Sequence, residues 1–154
     1  PVLQYGVETF CKKCSEIGID GLILPDLPLA EYNLHYRELF EKYNLANIFL
    51  ITPQTSKERI REIDEASNGF IYMVSSASTT GKTSAFAEEQ ISYFNRINAL
   101  QLKNPQIVGF GINNAETFTK ATKKAKGAII GSAFIKTLTN DGLAGIPNFI
   151  KRLR

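Results

Sequence analysis

A chain of 154 residues with 44% hydrophobic content holds enough apolar material for one packed domain, and its formal charge of +3 is too small to mark a disordered or nucleic-acid-binding chain. Its longest apolar runs are strand-sized, short of the roughly 18 residues of a spanning helix, and no charged-then-apolar leader opens it. No membrane is expected, and the cytoplasm is the expected location. Lys120, Lys123, Lys124 and Lys126 fall on one predicted helix and read as a solvated face, with no aromatic-interleaved basic stripe to suggest a nucleic-acid partner.

The first predicted element is a helix over 7–17, stopped by Gly18. Val7, Phe10, Cys11, Cys14 and Ile17 share one face of it, so the C-x-x-C pair reads as small buried hydrophobes. A redox pair would sit at a helix amino end, and a zinc site would need a second pair or a histidine cluster; no metal is expected. A buried strand follows over 21–24, then a helix over 31–43, a strand over 47–52, a helix over 57–66 with Ser56 as its cap and Asn68-Gly69 as its end, and a strand over 70–75. A polar loop runs over 76–87. Beyond it come a helix over 88–102, a strand over 107–111, a helix over 114–125, a strand over 128–131, a short helix over 132–138 and a closing helix over 145–153. The rhythm is about five strands and six helices.

Short apolar strands alternating with amphipathic helices indicate a parallel sheet covered by helices. A five-stranded doubly wound domain would be complete at this length, whereas an eight-stranded barrel needs roughly 250 residues. The stretch 1–6 leads into a helix with no strand before it, as in a chain cut within a repeat. The expected fold is therefore an α/β single domain over 1–154, an incomplete carboxyl-terminal portion of a parallel (β/α)8 TIM barrel with about five strand-helix units.

The last two predicted strands, Ile107-Val108-Gly109-Phe110-Gly111 and Ala128-Ile129-Ile130-Gly131-Ser132, end in glycines. Parallel barrels often bind phosphate in the loops after their last two strands, helped by the amino end of a short extra helix. The helix beginning at Ser132 can supply that end, and glycines let backbone N–H groups approach an anion closely. The hydroxyl-rich loop from Ser75 to Thr83 has the composition of a lid on the same rim.

Leu24-Pro25-Asp26-Leu27-Pro28, Tyr72-Met73-Val74-Ser75 with Thr79-Thr80-Gly81, Gly109-Phe110-Gly111-Ile112 and Gly131-Ser132-Ala133 resemble, in order and at matching separations, the tryptophan synthase alpha subunit family. Members are (β/α)8 barrels that cleave indole-3-glycerol phosphate to indole and glyceraldehyde 3-phosphate and pass the indole to a pyridoxal-phosphate beta subunit. The resemblance implies that Gly81, Gly111, Gly131 and Ser132 hold the substrate phosphate through backbone amides. It implies that Phe110 lines the indole pocket, that Tyr72 lies beside the scissile region, and that Thr80 is the lid threonine closing against a catalytic aspartate. Asp26 and Pro28 would face the beta subunit. The chain itself would carry no cofactor, the pyridoxal phosphate belonging to the partner.

Two departures accompany the resemblance. Ser76 and Ser78 stand where an arginine and a glycine are common in the lid. The family's acid/base glutamate and its partner aspartate belong to the first strands and the loop after them, outside this sequence. The carboxylates present have structural readings: Glu31 and Glu58 at helix starts, Asp64 and Glu65 before a helix end. His35, beside Tyr32 and Tyr36, reads as a surface or boundary residue. The segment alone is thus expected to lack cleavage activity; the alternative is a complete, non-catalytic phosphate-binding α/β domain of flavodoxin-like shape.

Overall fold

The computed structural model describes residues 1–74, 86–109, 111–112 and 114–153, with side chains described from residue 90 onward in the helix that begins at Phe86. The elements in chain order are α1 (Val2–Tyr5), α2 (Val7–Glu16), β1 (Gly21–Ile23), α3 (Leu29–Glu31), a π turn (Tyr32–Tyr36), α4 (Arg37–Lys42), β2 (Ala46–Ile48), β3 (Leu50–Ile51) and α5 (Lys57–Ala66). They continue as β4 (Ile71–Val74), α6 (Phe86–Ala99), β5 (Gln106–Gly109), α7 (Ala115–Thr122), β6 (Gly127–Ala128), α8 (Ser132–Asp141), a 3-10 turn (Leu143–Gly145) and α9 (Ile146–Lys151).

All pairings among the described strands are parallel: β1 with β2, and β3-β4-β5-β6 in sequential order. A doubly wound sheet reverses its strand order at a switch point. Here the order never reverses, and right-handed crossovers then place α5, α6 and α7 on one face. Burial agrees. Ile51, Met73 and Val108 are paired across β3, β4 and β5 with Ile71 on the same face, and all four are essentially inaccessible beneath Ile60, Ile63, Phe94 and Ile97 of the helices. On the opposite face Leu50, Tyr72, Val74 and Ile107 are only half-buried, and Ile23 of β1 is 45% exposed. One sealed face and one half-open face make this a partial barrel, with the half-open face as its lumen.

Helix ends follow from local chemistry. The Ser56 hydroxyl accepts from the Arg59 amide at 3.2 Å, so α5 starts where its cap requires. Asn114 and Thr117 cap α7 reciprocally: the Asn114 side chain accepts from the Thr117 amide at 2.9 Å while the Asn114 amide donates to the Thr117 hydroxyl at 3.1 Å. Helix α2 ends at Gly18, whose φ of 80° suits glycine, and α4 ends at Asn44 with a φ of 53°. Cys11 and Cys14 are free thiols in the core, and burial pushes the Cys11 thiol pKa up, as expected of inert packing groups. His35 is exposed, 3.7 Å from Glu31.

Several boundaries differ from the sequence reading. The expected strand over 47–52 breaks at Phe49, which leaves the β ladder between β2 and β3 although its carbonyl still accepts from the Tyr72 amide at 2.9 Å. The Phe49 ring is committed to Tyr32, with centroids 5.2 Å apart and nearly perpendicular planes. The expected helix over 31–43 widens into a π turn across Tyr32-Asn33-Leu34-His35-Tyr36, in which every residue but Leu34 is a weak helix former. Among the described residues the last two strands run over Gln106–Gly109 and Gly127–Ala128, each beginning one residue earlier than expected, and β6 ends short of the expected 131.

Two buried polar groups have opposite standing. The Asp64 carboxylate accepts from the Lys103 amide at 2.8 Å, the Asn104 amide at 3.0 Å and the Asn104 side-chain nitrogen at 2.9 Å, pinning the end of α5 to the turn before β5. Asn47 in β2, 1% exposed, has an Oδ1 with no hydrogen-bond partner among the described residues. Asp64→Ala removes the acceptor of two backbone amides and of one of the two Asn104 side-chain bonds, the other going to the Asp64 backbone carbonyl, and should cost about 2–4 kcal/mol. Asn47→Leu removes an unpaired buried acceptor at similar volume and should raise stability by about 1 kcal/mol. Urea unfolding midpoints at unchanged slope measure both.

Candidate functional site on the carboxyl rim

In parallel strands every carboxyl end points to the same edge, so β4, β5 and β6 deliver residues 74, 109 and 128 to one rim in neighbouring order. Tyr72 sits in β4 on the lumen face, opposite Ile107, and burial alone raises its hydroxyl pKa. The hydroxyl is therefore neutral at physiological pH, able to donate or accept a hydrogen bond but not to act as an anion.

The Tyr72 ring occupies the space beside Gly109. A Cβ built on Gly109 would fall among the Tyr72 ring atoms and hydroxyl. The sequence reading treated Gly109 only as part of a glycine-rich rim; the structure gives it a different task, making room for an aromatic ring from the adjacent strand. Gly111 is exposed and holds a φ of 73°, which favours glycine and turns the chain sharply after β5.

Gly131 and Ser132 are exposed at the start of α8. Gly131 has a φ of −96° and open space where a Cβ would stand, so neither conformation nor crowding demands glycine there. Among the described residues no side chain caps this amino end, in contrast to Ser56 on α5 and Asn114 on α7. Its first amides and the helix dipole face the rim without a protein acceptor from a cap. The structure thus brings Tyr72, Gly111, Gly131 and Ser132 to adjacent strand ends. Thr80, Gly81 and Phe110, and with them the expected lid, lie outside the described residues.

The loop after β3 belongs to the same rim and was not singled out by the sequence reading. Thr52 and Thr55 knot it: the Thr52 amide donates to the Thr55 hydroxyl at 2.9 Å, and the Thr55 amide donates to the Thr52 carbonyl at 3.1 Å. Two threonines three apart around Pro53 were the available signal. Open grooves also lie on the outer helices, one lined by Lys57, Arg61, Arg96 and Leu100, another by Asn114, Lys136, Asn140 and Arg152. Neither includes the rim residues. Among the described residues no group of three or more His, Cys, Asp or Glu comes together to hold a metal, and no helix is long and apolar enough to cross a membrane.

A sequential parallel sheet with helices on one face and glycine-bearing loops at its strand ends is part of a (β/α)8 barrel with its candidate site on the carboxyl rim. A family profile described as tryptophan synthase alpha chain matches residues 1–150. The chain belongs to that family. It is 66% identical over 154 residues, all of its length and 60% of the relative's, to the tryptophan synthase alpha chain of Christiangramia forsetii. The solved tryptophan synthase subunit alpha of Campylobacter jejuni superposes with a TM-score of 0.82 at 31% identity, over 99% of this chain and 61% of that one. A tryptophan synthase a2b2 complex from Pyrococcus furiosus gives a TM-score of 0.76 at 25% identity, over 99% of this chain and 60% of that one. The chain spans about 60% of the length of curated relatives to which it is 64–67% identical.

Gly109→Ala should push the Tyr72 ring off its seat and cost about 1–3 kcal/mol of stability, as overpacking does. Tyr72→Phe should not relieve it, since the ring carbons collide as well as the hydroxyl; Tyr72→Ala should. A double-mutant cycle by thermal unfolding measures the coupling.

Proposed function

We propose that this chain forms the phosphate-holding part of a lyase that cleaves indole-3-glycerol phosphate to indole and glyceraldehyde 3-phosphate in tryptophan biosynthesis. The observation that carries the proposal is the juxtaposition of Gly111, Gly131 and Ser132 with the uncapped amino end of α8 on one rim, beside a lumen-facing Tyr72. Backbone N–H groups at a helix start are a ready anion site and need no side-chain charge. In this reading Gly81, Gly111, Gly131 and Ser132 hold the phosphate, Phe110 and Tyr72 flank the indole, and Thr80 closes the site.

Cleavage of the bond between indole and glycerol requires protonation at indole C3, removal of the indole N–H proton and deprotonation of the glycerol hydroxyl. A carboxylate with a tuned pKa suits these transfers. Tyr72, whose hydroxyl stays neutral, cannot serve as the base; in this reading its role is to shape the pocket wall and orient the reacting end. Asp64, buried and committed to Lys103 and Asn104, is likewise occupied. In this reading the acid/base carboxylates are not supplied by these 154 residues, and the chain alone is expected to be inactive. The chain needs no cofactor of its own. Its partner is a pyridoxal-phosphate beta subunit, a reading supported by the a2b2 assembly of the Pyrococcus furiosus relative, and the cytoplasm is its compartment. Residues 1–154 act as one domain in this scheme.

Gly131→Asp tests the phosphate site cleanly. The aspartate meets open space, an allowed φ and a helix amino end that favours a negative cap, so the thermal midpoint should hold or rise. Its charge beside the proposed phosphate should weaken glycerol 3-phosphate binding by roughly tenfold or more in calorimetric titration. Unchanged affinity would overturn the site. Incubated with indole-3-glycerol phosphate, the chain alone should release no indole; release would overturn the assignment of the catalytic carboxylates.

A further inference from the structure

Helix α6 reaches across to the rim loop after β3 with two side chains. Arg96, half-buried, donates to the Pro53 carbonyl at 2.7 Å and to the Thr55 carbonyl at 2.9 Å. One turn earlier Tyr93 donates from its hydroxyl to the Ile51 carbonyl at 3.2 Å, and the Arg96 guanidinium lies 5.5 Å from the Tyr93 ring centroid. Both contacts bridge more than forty positions of sequence: 41 and 43 for Arg96, 42 for Tyr93. They are therefore tertiary choices, not helix-capping by-products.

Strand β3 depends on such a hold. It is two residues long, it leaves the β2 ladder at Phe49, and among the described strands it pairs only with β4, where Leu50 lies opposite Tyr72 and Ile51 opposite Met73. A strand that short cannot fix its own register by backbone pairing alone. The loop Pro53 to Thr55 is where its carboxyl end is anchored, and the planar guanidinium fork matches two carbonyls there in a way a lysine ammonium does not.

We infer that Arg96 is a positioning residue for the carboxyl rim: by holding the Pro53 and Thr55 carbonyls it sets the place of β3, and through the Leu50–Tyr72 pairing it sets the place of Tyr72 in the lumen. The functional weight of this inference rests on the reading of Tyr72 as a wall of the substrate site. The geometric part stands on the contacts themselves. Arg96 touches no reacting atom in this scheme and acts only through β3.

The experiment compares the wild-type chain with Arg96→Met, which keeps the apolar stem, and Arg96→Lys, which keeps the charge but only one donor centre. The tyrosine rings are labelled with carbon-13, and Tyr72→Phe identifies the Tyr72 signal among the six tyrosines. Amide hydrogen exchange is followed at Gln54 and Thr55, whose N–H groups bond to Thr52. In Arg96→Met the Tyr72 signal should move and exchange at Gln54 and Thr55 should speed up roughly tenfold or more, while the amides of α2 and α8 keep their wild-type rates. Arg96→Lys should fall between the two. A uniform rise in exchange across the chain with Tyr72 unmoved would mean a merely structural arginine and would overturn the inference. If Arg96→Met does not fold, Arg96→Lys is judged by the same two signals. Glycerol 3-phosphate titration of the wild-type chain reads the other question separately: no binding there would sink the phosphate site while leaving the Tyr72 and exchange results to decide the role of Arg96.

Discussion

Burial of one sheet face beneath its own crossover helices is the constraint from which the rest of this structure follows. Ile51, Ile71, Met73 and Val108 are excluded from water by α5 and α6, and each such side chain contributes on the order of 1.5–3 kcal/mol. That sealed layer fixes which residues of each strand point away from the helices. Because side chains alternate along a strand, committing Met73 to the helices commits Tyr72 to the lumen, and committing Val108 does the same for Gly109. The candidate site is thus a by-product of the core: its side chains are those the core leaves over.

The tertiary anchors lie at strand ends, where pairing gives out. Asp64 secures the entry to β5, while Tyr93 and Arg96 secure the exit from β3. Strands of two to four residues supply few ladder bonds, so side chains reaching over from helices take on work that longer strands would do alone. These anchors are charged or hydroxyl groups bound mainly to backbone atoms, with the Asn104 side chain as the one side-chain partner among the contacts described, that of Asp64.

Much of this was legible in the sequence. The apolar runs around 71–74 and 106–109 marked strands because β-branched and aromatic residues cluster there between polar turns, and the face of Cys11 and Cys14 marked its helix because its spacing follows the helical period. The bounds 57–66 for α5 emerged intact because Ser56 announces its own hydrogen bond. What escaped was whatever depends on neighbours distant in the chain. The break at Phe49 comes from Tyr32 claiming its ring. For the site, the order of strand ends was readable, and so was the glycine content of the rim. The distinct reasons for those glycines were not: Gly109 answers to Tyr72, Gly111 to its own backbone, and Gly131 to neither crowding nor strain.

The seating of Tyr72 over Gly109 also sets an order on how this barrel can change through descent. A side chain enters at position 109 only by displacing the ring, whereas the ring can shrink while 109 stays glycine. The less costly order of substitution therefore takes the tyrosine first, and its loss opens lumen volume before anything fills it. A lineage that enlarged residue 109 in that order would have passed through a stage with a wider, emptier wall at this point, and with it a different preference for the size of what the barrel encloses.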